Sequence, residues 1–92
     1  MVFVLNKCFG GFSLSPFAME QLGVNSPYAK LSSGQFNDLI ELIVKHGSEA
    51  CSGSHAKLKL VEVPDDCTDW ELEEFDGIEC ITYVVDGKLY HA

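Results

Sequence analysis

The sequence predicts a single α+β domain in which an antiparallel sheet of about four strands carries one long and one short helix on one face. Three observations predict this fold. One amphipathic helical stripe occupies the middle of the chain, short strand-like runs occupy both ends, and short turns join the runs of the second half. Consecutive strands with short connections are usually antiparallel neighbours. The predicted order over residues 1–92 is therefore β-α-α-β-β-β-β, within one domain.

The first half of the chain supplies one strand and a short helix. Val2 to Leu5 is a β-branched and aromatic run that favours a strand, and Gly10-Gly11 interrupts it. Ser15 can cap the free amides of a helix, and Pro16 suits the first helical position. Gly23 is a natural end, so this helix has about two turns.

The long helix is the best-defined element of the sequence. Ser32 followed by Gln35 fits a capping box, and Gly47 marks the end. Between them, apolar residues recur at helical spacing and form one stripe: Phe36, Leu39, Ile40, Ile43 and Val44.

The second half of the chain predicts strands after a loop at residues 48–54. Alternation from Lys57 to Val63 favours a strand, and its change of phase near Leu60-Val61 indicates either a bulge or burial on both faces. Pro64-Asp65-Asp66 is typical of a turn. The run Trp70-Glu71-Leu72-Glu73 alternates again and ends at Asp76-Gly77.

The chain ends in a predicted hairpin. Residues 78–85 are apolar at odd and even positions, which favours a strand with neighbours on both sides. Asp86-Gly87 is a two-residue hairpin turn, and Lys88 to His91 would return as an edge strand.

Composition limits the compartment and the partners. Fourteen acidic residues stand against six basic ones, all lysines, for a net charge of −8. Arginine is the usual residue for forked recognition of phosphate, so its absence and the acidic charge argue against direct nucleic-acid binding. No apolar run approaches the roughly 20 residues of a membrane span, and no export signal precedes the domain. A cytoplasmic protein is expected, with free thiols at Cys8, Cys51, Cys67 and Cys80.

A dense run of carboxylates between Asp65 and Glu79 is the most distinctive feature. Eight acidic residues fall within these fifteen positions, without a lysine. The run is either a solubilising face or a docking surface for a basic partner, such as a nucleic-acid-binding protein. A calcium loop at residues 65–69 is a third interpretation, although the spacing of a helix–loop–helix calcium site is missing. The candidate partner-binding residues are Asp69, Trp70, Glu71, Glu73, Glu74, Asp76 and Glu79.

Alternation along the strand would divide this run between two faces. Glu71 and Glu73 would lie on one face, with Trp70, Leu72 and Glu74 on the other. The carboxylates to test first are therefore Glu71, Glu73 and Glu74.

Catalytic and metal patterns are weak. Cys8 precedes a Gly-Gly turn and a helix start, where a thiolate would be favoured, but no histidine is tied to it by sequence. His46, Cys51 and His55 lack the paired spacing of a structural zinc site. We therefore expect a non-enzymatic protein without a cofactor. The alternative is a small thiol- or metal-dependent enzyme centred on Cys8.

Two segments resemble a family of small proteins found in tailed-phage and prophage genomes. The N-terminal segment is Lys7-Cys8-Phe9-Gly10-Gly11-Phe12-Ser13-Leu14-Ser15. The C-terminal one is Val63-Pro64-Asp65-Asp66, followed by Trp70-Glu71-Leu72-Glu73-Glu74-Phe75-Asp76-Gly77-Ile78-Glu79. The chain departs from the family where residues 81–87 form a hairpin in place of a more basic, tryptophan-containing end. The resemblance implies a phage-associated protein and supplies no activity. The expected partner is then a basic host or phage protein, and a virion or assembly component is the further alternative. One interpretation of its size and charge is inhibition of a nucleic-acid-handling host or defence enzyme.

Overall fold

The computed structural model describes residues 1–92 and confirms the α+β class, with three helices and five strands. The strands form two antiparallel sheets, β1-β2 and β3-β4-β5, where the sequence predicted one. The elements are β1 Val2–Asn6, α1 Pro16–Leu22, α2 Ser33–His46, α3 Ser48–Cys51, β2 Leu58–Glu62, β3 Asp69–Phe75, β4 Ile78–Val85 and β5 Lys88–His91.

The β1-β2 ribbon explains the change of phase near Leu60-Val61. Its register runs without interruption from Val2 opposite Glu62 to Asn6 opposite Leu58, so there is no bulge. Leu58 and Val61 are buried on opposite faces of the ribbon. Burial on both faces is therefore the correct alternative.

Each face of the ribbon contributes to a different hydrophobic core. Val4 and Leu58 pack with the helices in the first core, which contains Val4, Leu14, Ala18, Leu22, Leu39, Ile43, Cys51 and Leu58. The second core, between the ribbon and the three-stranded sheet, consists of Leu5, Val61, Val63 and Ile81. The molecule therefore has three layers, with the ribbon in the middle.

The expectation that consecutive strands pair is confirmed for β3, β4 and β5 and is wrong for β2 and β3. β2 pairs with β1, and the turn at Pro64 leads the chain into another layer and not into a hairpin with β3. A strand that is apolar on both faces needs cover on both faces, which a single two-layer sheet would not provide.

The helix boundaries follow the predicted caps. The Ser15 hydroxyl accepts a hydrogen bond from the Ala18 amide at 3.1 Å, with Pro16 at the first turn of α1. Ser32 and Gln35 form both hydrogen bonds of the capping box, at 3.2 and 2.9 Å. These bonds satisfy amides that have no partner inside the helix.

Two helical details differ from the sequence prediction. Val44, assigned to the apolar stripe, is 73 % exposed, because the buried stripe of α2 centres on Leu39 and Ile43. Residues 48–51, predicted as loop, form α3: the Ser48 carbonyl accepts from the Ser52 amide at 3.0 Å, and Cys51 is buried in the first core. Burial of Cys51 stabilises a turn that has no periodic pattern in the sequence.

The three-stranded sheet is built from two tight hairpins. Asp76-Gly77 and Asp86-Gly87 each place two successive residues at positive φ, as type I′ turns require. The predicted Asp86-Gly87 hairpin is confirmed, and β4 lies between β3 and β5 as its composition indicated. None of the three helices combines the length and apolar character of a transmembrane segment.

Candidate partner-binding surface

Strand β3 divides the acidic run between two faces of its sheet. Leu72 lies opposite Ile81, which is buried in the second core, so even-numbered β3 residues face the ribbon. Glu71 and Glu73 lie on the opposite face, which we call the outer face. The partition predicted by alternation is thus observed, and Glu74 lies apart from the other two test residues.

Trp70 faces inwards and joins the two sheets. Its ring centroid lies 5.0 Å from that of Phe3 in β1, with the rings tilted by 58°. Aromatic pairs at this separation contribute about 0.5–1.5 kcal/mol beyond the area they bury. Its contact with β1 gives Trp70 a role inside the fold.

Asn6 at the end of β1 anchors the outer hairpin. Its side chain is fully buried, and its Nδ2 donates to the carbonyls of Cys8 and Gly77 at 2.7 and 2.6 Å. Its Oδ1 accepts from the Lys57 amide at 3.0 Å, and its own amide donates to Glu79 Oε1 at 2.8 Å. One buried residue therefore links β1, the segment before β2 and the hairpin between β3 and β4.

The two family-like segments meet at this anchor. A Cβ on Gly77 would lie 2.5 Å from the Gly11 nitrogen, so only glycine permits this approach. Lys7 Nζ donates to the Glu79 carbonyl at 2.7 Å, close to the same contact. Spacing in the sequence does not reveal this contact, because Gly11 and Gly77 are 66 positions apart along the chain. Much of the resemblance therefore lies in residues that hold the fold together.

Three of the seven candidate residues have structural roles in or beside this hairpin. Glu74 Oε1 accepts from the Gly77 amide at 2.9 Å, and Asp76 occupies the left-handed position of the turn with φ 51°. Glu74 lies opposite Glu79, a like-charge pair that is unfavourable in isolation. Each carboxylate accepts a hydrogen bond from a backbone amide, Glu74 from Gly77 and Glu79 from Asn6.

The outer face combines carboxylates with exposed aromatic rings. Phe9 and Phe75 are 66 % and 76 % exposed, and they line a shallow cleft of about 410 Å³. The other lining residues are Glu73, Glu74, Ile78 and Cys80. Asp69 and Glu71 extend the same face along β3, and neither side chain makes a hydrogen bond or ion pair within the chain. No helix or strand covers this face.

Sequence reasoning missed the aromatic part of this surface. Phe75 follows Glu71 and Glu73 at the same parity of β3, so the alternation that divided the acids also places its ring on the outer face. Phe9 gives no such indication, because it reaches the surface only through the contact between Gly11 and Gly77.

The outer face carries its acidic side chains on β3 alone. Its outward positions are Asp69, Glu71, Glu73 and Phe75 on β3, Ile78, Cys80, Thr82 and Val84 on β4, and Leu89 and His91 on β5. None is a lysine, and the His91 ring contacts the Thr82 hydroxyl at 3.3 Å. The outer face therefore presents apolar groups beside a row of carboxylates on β3.

Asp65, at the start of the acidic run, lies elsewhere. Its carboxylate accepts a hydrogen bond from the Met1 ammonium at 2.6 Å, and this bond, followed by the Coulomb attraction, holds the pKa of Asp65 below its usual value. This ion pair closes the β1-β2 ribbon at the end opposite Asn6.

The thiols and histidines form no cluster of metal ligands. No three His, Cys, Asp or Glu side chains come together as metal ligands, and the four thiols are unpaired. Burial raises the pKa of the Cys51 thiol, which keeps it protonated. The His46 ring packs edge-on against the ring of Phe17, with 5.0 Å between the ring centroids.

Comparisons with protein-family models, with curated proteins and with solved structures find no match to this chain.

Proposed function

We propose that this protein is a non-enzymatic accessory protein that binds a basic protein partner through the outer face of its three-stranded sheet. The observation that carries the proposal is the pairing of exposed aromatic rings with unpaired carboxylates on an uncovered face. Phe9 and Phe75 supply an apolar area at one end of β3, and Glu73, Glu71 and Asp69 continue from it as a row of carboxylates along the same strand.

This composition fits an interface better than a purely solubilising face. Aromatic residues are enriched at the centre of protein interfaces, and charged residues concentrate at the rim. Two adjacent aromatic rings that are each more than half exposed do not increase solubility, whereas exposed apolar patches often mark protein interfaces. The carboxylates would attract a partner with lysine or arginine around an apolar projection and would repel acidic proteins.

The resemblance to phage and prophage proteins suggests the setting. A phage-encoded protein of this charge would act in the cytoplasm of the host cell, and a nucleic-acid-handling enzyme is the class of partner that fits best. The phosphate-binding surfaces of such enzymes are basic, and a row of carboxylates can occupy them in place of phosphate. On this view, Asp69, Glu71 and Glu73 exclude nucleic acid from the partner.

Affinity capture from host or infected cells tests the proposal without assuming an activity. The immobilised wild-type protein should retain a basic protein that added salt releases. The double variant Glu71→Lys/Glu73→Lys should lose at least about tenfold in affinity, or about 1.4 kcal/mol. Glu74 is left unchanged because its carboxylate holds the turn amide of Gly77.

A matched control separates local charge from net charge. Glu20→Lys/Asp38→Lys makes the same total change at two exposed helical carboxylates on the other side of the molecule. It should retain the partner with little loss. Equal binding by wild type and by the Glu71→Lys/Glu73→Lys variant would contradict the proposal, and equal losses in both double variants would reduce it to a net-charge effect.

A further inference from the structure

A second surface, on the opposite side of β3, is a groove that follows the free edge of β1. It has a volume of about 430 Å³, within the usual range for ligand sites. Phe36 and Ile40 of α2 form one wall, and Leu72 of β3 forms the other. Between the walls lies the edge of β1 itself at Val2 and Val4.

The register of the ribbon fixes which backbone groups point into this groove. Met1 and Val63 exchange both backbone hydrogen bonds, at 2.8 Å each, and the Lys7 amide donates to the Lys57 carbonyl. Because bonded and non-bonded pairs alternate in an antiparallel ladder, the even residues of β1 direct their amides and carbonyls away from β2. The Asn6 amide confirms this direction, since it leaves the ribbon to reach Glu79.

Val2 and Val4 therefore present an unpaired strand edge. Neither their amides nor their carbonyls have a partner on the groove side, so two donors and two acceptors line up along it. Natural edges are usually protected by lysine, proline or a bulge, and β1 has none of these between Val2 and Leu5. An open edge between two apolar walls has the geometry that receives an added strand.

We infer that this groove binds an extended segment of a partner protein, which adds to β1 as a third strand of the ribbon. The segment would carry apolar side chains on both faces, because successive side chains would point alternately towards α2 and towards Leu72. A lysine or arginine would follow at the Asn6 end, where Glu79 supplies the only charge in the groove.

Charge selects this occupant over a second copy of the chain. Two copies paired through β1 would bring two domains of net charge −8 together, with a Glu79 carboxylate in each groove. A cationic segment gains from the same field. A compact ligand would leave the row of donors and acceptors unused, whereas an extended backbone matches it.

The probe for this inference is a synthetic peptide of alternating valine and isoleucine, which is apolar on both faces as a strand, with a lysine at each end. Its binding can be followed by NMR, through the amide shifts and hydrogen exchange of Val2 and Val4. We expect both amides to become protected on binding. The same peptide with alternate backbone nitrogens methylated should not bind, since it cannot complete the ladder, and a version with terminal glutamates should bind more weakly.

Two matched variants locate the site. Leu72→Arg fills the groove and should weaken peptide binding at least about tenfold, while Leu89→Arg, at an exposed leucine on the outer face of the same sheet, should leave it unchanged. Glu71→Lys/Glu73→Lys should also leave it unchanged, so that this inference and the proposed function can fail separately.

Several outcomes would overturn the inference. They are no binding at millimolar peptide, equal binding of the methylated peptide, or full affinity in the Leu72→Arg variant. Sedimentation that shows a dimer, together with protected Val2 and Val4 amides without peptide, would assign the edge to a second copy and would equally reject the inference.

Discussion

Asn6 is the residue on which the contact between the ribbon and the outer hairpin depends. Truncation to alanine would leave the Cys8 and Gly77 carbonyls and the Lys57 amide without their partner. Each buried group left unpaired costs about 1–3 kcal/mol. We expect Asn6→Ala to lower the free energy of unfolding by about 3 kcal/mol or more, measured by urea denaturation.

The exposed Asn25 is the matched control for this substitution. Asn25→Ala should change the free energy of unfolding by less than about 0.5 kcal/mol, as is usual for surface sites. A loss below 1 kcal/mol in Asn6→Ala would mean that water replaces the side chain and that the anchor is unimportant.

The importance of Asn6 could not be deduced from the sequence. An asparagine at the end of a strand-like run is typical of a turn, and nothing local distinguishes a buried one. Its partners Lys57 and Gly77 lie 51 and 71 residues away along the chain, so only the folded topology brings them to Asn6.

Asp65 gives the fold a pH dependence with a definite sign. Since its pKa is lowered in the folded state, its contribution is present above the unfolded value of about 3.9 and is lost as the pH falls through the folded value. Asp65→Asn should be less stable than wild type at neutral pH, and the difference should vanish in strong acid. Denaturation over a pH series measures it, with the exposed Asp66→Asn as control. A difference that is constant with pH would exclude the ion pair with Met1 as its cause.

At the scale of elements, local chemistry decided what the sequence could predict. Helix caps and type I′ turns depend on residues within four positions of one another, and the predictions at Ser15, Ser32 and Asp86 are confirmed. The single turn of α3 depends on the burial of Cys51 in a distant core, so its polar sequence predicted a loop.

The division of the strands into two sheets could not be predicted from the sequence, for a different reason. Alternation predicts which residues share a face, and it divided the acids of β3 correctly. It does not say which strand is the neighbour, and β2 pairs with a strand about 55 residues earlier. The phase change near Leu60 was the one local indication that the ribbon lies between two layers.

At the scale of the whole molecule, the ribbon makes the two cores depend on each other. Val4 and Leu58 belong to the core under the helices, while Leu5 and Val61 belong to the core under the sheet. The second core has only four buried residues, too few for an independent domain. The sheet should therefore unfold together with the helices.

Ile81→Ala tests this dependence. Ile81 is fully buried in the second core and does not belong to the helical core, and its truncation should cost about 2–5 kcal/mol. We expect Trp70 fluorescence, which reports on the sheet, and helical circular dichroism to shift to the same lower denaturant midpoint. Leu39→Ala, in the helical core, should likewise lower the fluorescence midpoint and the helical midpoint to the same denaturant concentration. A shared middle layer cannot lose the packing on one face without weakening the packing on the other, so the two midpoints should move together. If the fluorescence midpoint falls in Ile81→Ala while the helical midpoint stays in place, the ribbon does not couple the two cores.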